Sequence, residues 1–184
     1  MMGVSDMASF SDAHECQEIP IIAANLHRLI LPCQEQIWAV LHGSDSLRRI
    51  NYSIVNTLLG VMCLSGDIDT LSAEQWALVD KGIAFYREVG HIILHGRSAI
   101  HQHISPSWRE PRGWQAVIRT GDHGETLVVL HTFGGDFPDT VTLPVSAEKI
   151  LNVLSCQEPQ LSLENNQLTI KLTDPFDAIA VHLA

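Results

Sequence analysis

Charged side chains are scarce in this sequence. They make up 17% of its 184 residues, and acidic groups outnumber basic ones to give a formal net charge of −10. That balance argues against a nucleic-acid binder, whose phosphate contacts need clustered lysine and arginine. Long apolar runs are missing too: stretches such as residues 20–24 and 127–130 fall far short of the roughly 20 residues that a membrane-spanning helix needs. The N-terminus carries neither the basic flank nor the apolar stretch of a secretory leader. Four cysteines (Cys16, Cys33, Cys63 and Cys156) are scattered without a Cys-x-x-Cys pair, as expected of buried, reduced thiols and a cytoplasmic location. No glycine-rich loop precedes a helix, and Gly134-Gly135 follows a strand pattern with no helix after it, so no nucleotide role is indicated. Gly-x-Ser-x-Gly is absent, and no cysteine sits beside a recognisable base. No metal or organic cofactor is implied.

What is present is enough apolar material for a core, at 46% of the residues. The pattern changes character near residues 96–113. The first half reads as helices alternating with short apolar strands. Residues 20–31 have Pro20 in the opening turn and one apolar face formed by Ile22, Leu26, Leu29 and Ile30, with Pro32 as a stop. Residues 36–41 and 61–64 suit buried parallel strands, separated by a helix capped within residues 44–46 and ended by Gly60. Ser72 with Gln75 three residues on is a capping box for a helix running to about Val89. Such alternation predicts parallel strands covered by helices. Two strands with three helices cannot close a barrel, so the first half reads as the end of something larger.

Residues 96–105, rich in histidine and serine, have no clear period and read as a linker. Beyond them come about seven β-runs: 114–119, 126–133, 140–143, 150–154, 161–163, 168–172 and 178–183. Residues 121–124 and Asn165-Asn166 mark hairpin turns. This pattern predicts an antiparallel β-sandwich over residues 106–184.

Taken together, residues 9–15 (SFSDAHE), 20–28 (PIIAANLHR), 36–41 (QIWAVL), 45–49 (DSLRR) and 62–67 (MCLSGD) resemble glycoside hydrolase family 36 and its α-galactosidase-like relatives. The likeness continues more weakly through residues 114–119 (WQAVIR) and 127–131 (LVVLH); the order and spacing of the pieces carry it. It implies an α/β plus all-β chain in which residues 1–95 are the C-terminal portion of a (β/α)8 barrel, incomplete here, followed by the antiparallel β-sandwich. Residues 9–15 would follow the sixth barrel strand, and residues 36–41 and 61–64 would be the seventh and eighth.

The chemistry implied is that of a retaining glycosidase. One carboxylate attacks the anomeric carbon and a second, roughly 5 Å away, protonates the departing oxygen. The resemblance makes Asp12 the acid/base candidate, with Asp6, in a second Ser-Asp pair, as its rival. The nucleophile of the family lies on the fourth strand and has no counterpart in these residues, so the chain alone is expected to be inactive. Ser11, Asp67 and Trp38 are candidate substrate contacts for an α-galactoside oligosaccharide. Each also has a plain structural reading: Asp12 and Asp67 as caps of local turns, Trp38 as a core aromatic.

Other readings stay open on the sequence. His91, His95, His101 and His103 cluster, yet no cysteine or carboxylate joins them at ligand spacing. A non-enzymatic carbohydrate- or protein-binding module would need exposed aromatics, for which Trp108, Trp114, Phe133 and Phe137 are available. A barrel piece completed by a partner chain is a further reading, and with it self-association through apolar faces that a missing barrel segment would cover.

Overall fold

A computed structural model describes residues 6–9, 15–105, 107 and 109–184. The first half contains strand β1 (Ala8–Ser9), helix α1 (Ile19–Leu26), strand β2 (Glu35–Leu41), helix α2 (Leu47–Thr57), strand β3 (Val61–Gly66) and helix α3 (Ala73–His95). The three strands pair in parallel in the order β1-β2-β3, with Ser9 opposite Gln36 and Trp38 opposite Cys63. Side chains alternate along β2: Glu35, Ile37, Ala39 and Leu41 are buried, whereas Gln36, Trp38 and Val40 face the uncovered side. The described residues form no closed barrel.

Local chemistry accounts for the helices. Ser46 caps α2 by accepting the Arg49 N–H at 3.2 Å. Ser72 and Gln75 form the reciprocal capping box expected at the start of α3. Helix α1 is shorter than its apolar pattern, ending at Leu26, where His27 turns into a buried polar cluster and Leu29 is left 65% exposed. Helices α2 and α3 cross so closely that a Cβ on Gly82 would lie 2.4 Å from Ile54 Cγ2, which only glycine avoids.

The segment expected to be a linker is instead strand β4 (Arg97–Ile104), reached directly from α3, which runs six residues further than its expected end. The correction has a physical cause. β4 pairs antiparallel with β5 (Gly113–Thr120) over its whole length, from Arg97 opposite Thr120 to Ile104 opposite Gly113. Ladder hydrogen bonds to a neighbour, rather than its own apolar pattern, make it a strand. The five-stranded sheet continues through β6 (Thr126–Thr132), β11 (Ala178–Leu183) and β8 (Ile150–Leu154), all antiparallel. A second sheet has the order β7 (Thr140–Pro144), β10 (Gln167–Lys171), β9 (Leu161–Glu164). The β9-β10 turn places Asn165 and Asn166 at φ 51° and 60°, the left-handed pair of a tight hairpin.

Two cores result. One lies between the antiparallel sheets, where Ala116, Ile118, Val128, Leu130 and Val181 meet Val141, Leu143, Leu168 and Ile170. The other joins the two halves of the sequence: Ile50, Ile54, Val55, Phe85, Val89 and Ile92 of the helices pack with Ile37 and Ala39 of β2 and with Val117, Val129 and Ala180 of the five-stranded sheet. The helices are therefore a layer between the parallel sheet and the sandwich. Buried Asn51 ties that layer to β11 by donating to Ala178 O at 2.7 Å. Glu88 of α3 accepts from His182 Nδ1 at 2.6 Å and from Asn152 Nδ2 at 2.7 Å, clamping α3 to β11 and β8.

Candidate active-site edge of the parallel sheet

Parallel strands all end on the same edge, so the residues that follow Leu41 and Gly66 meet there, on the side of the sheet where β1 ends at Ser9. The first residues beyond β2 and β3 are His42 and Asp67, and His42 Nδ1 lies 2.9 Å from Asp67 Oδ2. An ionised carboxylate can only accept, so Nδ1 carries the hydrogen and Nε2 is the ring nitrogen left for other partners. The backbone around the pair is tied at several points. His42 N–H donates to Asp45 Oδ2 at 2.9 Å, and the other oxygen of Asp45 meets Arg49 Nε at 3.1 Å. Gly43 N–H donates to Thr70 Oγ1 at 2.9 Å, and that hydroxyl donates to Asp67 O at 2.6 Å.

The capping residue of α3 serves this edge as well. Gln75 Oε1 accepts the Ser72 N–H at 2.7 Å, while its amide nitrogen donates to Asp45 O at 2.7 Å and Gly43 O at 3.2 Å. Gly66 turns the chain out of β3 at φ 96°, and a Cβ there would stand 2.2 Å from Leu41 O. Sequence reasoning missed His42. The readable signal was a His-Gly step directly after one parallel strand, facing an aspartate directly after the next.

Trp38 is not on the helix side of β2. It lies half-buried on the open face, where its indole N–H donates to Ser9 Oγ at 2.8 Å. Asp67 is at the expected edge, 71% exposed, and engages His42. Asp6 precedes β1 and so stands at the opposite end of the strand from Ser9. Ser11 and Asp12 lie outside the described residues.

The opposite edge of the sheet holds a buried polar cluster. Glu35, which opens β2, is fully buried; His27 Nε2 approaches its Oε2 at 3.3 Å. Arg119 of β5 reaches in from the five-stranded sheet and is 1% exposed. Its Nη2 donates to Leu59 O at 2.8 Å and lies 3.2 Å from His27 Nε2, and its Nε donates to Ser98 Oγ at 3.0 Å. Burial raises the Glu35 carboxyl above its ordinary range, against the opposing pull of His27 and then Arg119. Burial likewise lowers Arg119 to about 10, which leaves it charged at neutral pH.

The remaining candidates do not converge on a site. His91 pairs with Glu125, and no group of three potential ligands able to hold a metal occurs among the described residues. Phe133 is buried, Trp114 and Phe137 pack against the sandwich core, and Trp108 lies outside the described residues. A cavity of about 220 Å³ opens in the sandwich beside Thr132, Gln157, Lys171, Asp174 and Asp177, without an aromatic wall.

No protein-family model and no curated protein matches the sequence. Solved structures do match. Over 94% of this chain the galactosidase domain of the α-galactosidase-sucrose kinase AgaSK is similar, with 14% identity and a TM-score of 0.61. A variant of the GH36 α-galactosidase AgaA from Geobacillus stearothermophilus, in complex with raffinose, matches 95% of the chain at 16% identity and TM-score 0.59. The α-galactosidase AgaB from the same organism matches 95% at 14% identity and TM-score 0.54. This chain has the fold of the C-terminal quarter of a GH36 α-galactosidase. It spans about 25% of the length of each of those three chains, with both the parallel sheet and the sandwich inside the matched share. The expected likeness to that family is thus met in the fold.

Proposed function

We propose that this chain is a portion of a retaining α-galactosidase-like glycoside hydrolase, comprising the last strands of its (β/α)8 barrel and its C-terminal β-sandwich. What supports the reading is the polar edge after β2 and β3, within a fold matched over nearly the whole chain by α-galactosidases. Asp12 follows β1 by three residues and is the acid/base group: it protonates the departing glycosidic oxygen and then activates water. Asp6 is the weaker assignment, because it precedes β1. The nucleophilic carboxylate comes from polypeptide outside these residues, so the 184-residue chain alone is inactive towards α-galactosides. The chain acts in the cytoplasm.

The test begins with the DNA upstream of Met1. The reading requires it to encode further β/α units and a strand-terminal aspartate. The joined protein is then expected to hydrolyse p-nitrophenyl α-galactoside, and Asp12→Asn to lower kcat by about 100-fold or more, as loss of a general acid does. A joined protein without hydrolysis, or an Asp12→Asn variant with full activity, defeats the proposal.

A second expectation concerns the short chain by itself. Its open sheet face carries Val40, 38% exposed, and Leu29 and Leu31 are 65% and 62% exposed. Sedimentation velocity is expected to show association that grows with concentration. A monomer at all concentrations would mean that this face needs no cover.

A further inference from the structure

We infer that His42 is the residue of the sheet edge that meets the sugar, accepting a hydroxyl hydrogen at Nε2, and that Asp67 is a positioning residue behind it. The inference rests on the α-galactosidase reading and changes which residue touches the substrate.

The argument starts from the valence of the pair. Asp67 Oδ2 takes the Nδ1 hydrogen at 2.9 Å, so the ring has a fixed tautomer and its remaining function is the Nε2 lone pair. The ring is 40% exposed, so that lone pair is available to solvent and ligand. A histidine that only tethered two loops would not require its backbone to be held as well. Here the Asp45 carboxylate, the Thr70 hydroxyl and the Gln75 amide together fix His42, Gly43 and Asp45. Gln75 is itself buried and locked into the capping box, which makes the loop a rigid mount for the ring.

The class of ligand follows from charge. Asp45, Asp67 and Asp69 stand around this edge with Arg49 already engaged by Asp45, so phosphates and carboxylates are repelled. An imidazole whose Nδ1 hydrogen goes to Asp67 presents Nε2 to the hydroxyl of an uncharged sugar. Asp67 loses its own acceptor role in part, since one of its oxygens is committed to the ring.

Two measurements test this. Nitrogen-15 shifts of the His42 ring in the 184-residue chain are expected to show the proton on Nδ1, and Asp67→Ala to move it to Nε2; a wild-type ring protonated on Nε2 alone would overturn the tautomer and the inference. In the joined, hydrolysing protein, His42→Ala is expected to raise KM for p-nitrophenyl α-galactoside about tenfold, the worth of one hydrogen bond, with kcat held within about twofold. Asp67→Ala should raise KM by less. Hydrolysis with KM unchanged in His42→Ala sinks this inference alone. Absence of hydrolysis from the joined protein sinks the galactosidase reading and this inference with it.

Discussion

Arg119→Met is expected to cost about 3–5 kcal/mol of unfolding free energy, read as a lowered urea midpoint, because it removes the buried hydrogen bonds to Leu59 O and Ser98 Oγ and the nearby positive charge that offsets the buried Glu35 carboxyl. The volume change is small, so loss of packing contributes little. The double variant Arg119→Met/Glu35→Gln should regain part of the loss, since no buried charge is then left unpaired. The pH dependence follows from the direction of the shift. Glu35 has a folded-state pKa above its unfolded value, so the folded chain holds this proton more tightly. Its contribution is fully present below the ordinary glutamate range and is lost as pH rises through the raised value. Without Arg119 that value rises further. Acidification should therefore narrow the gap between Arg119→Met and the wild type, and Glu35→Gln should abolish this dependence. A gap that widens on acidification would show that the cluster is held by something other than this charge pair.

Gly66→Ala is expected to be the most damaging small substitution at the sheet edge. The residue sits at φ 96°, which costs an alanine about 1–3 kcal/mol on backbone grounds. In addition, the new Cβ would meet Leu41 O, Leu41 N and Leu41 C at 2.2, 2.7 and 3.0 Å, all of them backbone atoms that cannot swing aside. Relief requires β3 to part from β2 at their shared end, which draws Asp67 away from His42. Two signals should change together: the urea midpoint should fall by at least the backbone strain, and the His42 ring nitrogens should report a mixture of tautomers. A midpoint within experimental error of the wild type would mean that the edge yields without loss.

Much of the architecture was readable because short-range chemistry and long-range packing agree. Ser72 and Gln75 announced α3 and do form its capping box. Asn165 and Asn166 announced a turn and adopt its left-handed geometry. The failures have a common origin. The expected end of α3 is at about Val89, yet the helix continues because Ile92 and Ile93 are buried in the core shared with the five-stranded sheet. β4 has an exposed and a half-buried histidine and only two well-spaced isoleucines, and its strand character comes from β5. Helices alternate with parallel strands before β4 and antiparallel strands follow, yet the packing crosses that division. Nothing local in the sequence states that Val117, Val129 and Ala180 turn one face of their sheet towards the helices. At the site, strand ends located Asp67, whereas a single histidine after a strand carries no pattern of its own, and only register between β2 and β3 reveals its partner.

The bond from Asn51 to Ala178 O spans 127 positions, that from Gln115 to Pro20 O spans 95, and Arg119 reaches Leu59 O across 60. Each closes a long loop before any enthalpy is returned, and together they bind the helix layer to a sheet whose strands are themselves distant in sequence. Refolding should therefore be slow for a chain of this size, nearer to the behaviour of sandwich proteins than of helical ones. The helices can form early by their own propensities, but their inner faces stay wet until β5, β6 and β11 have assembled. During that interval the nascent protein presents the same apolar surface to every other copy in the cell, and its yield on expression is set by how quickly β11 docks.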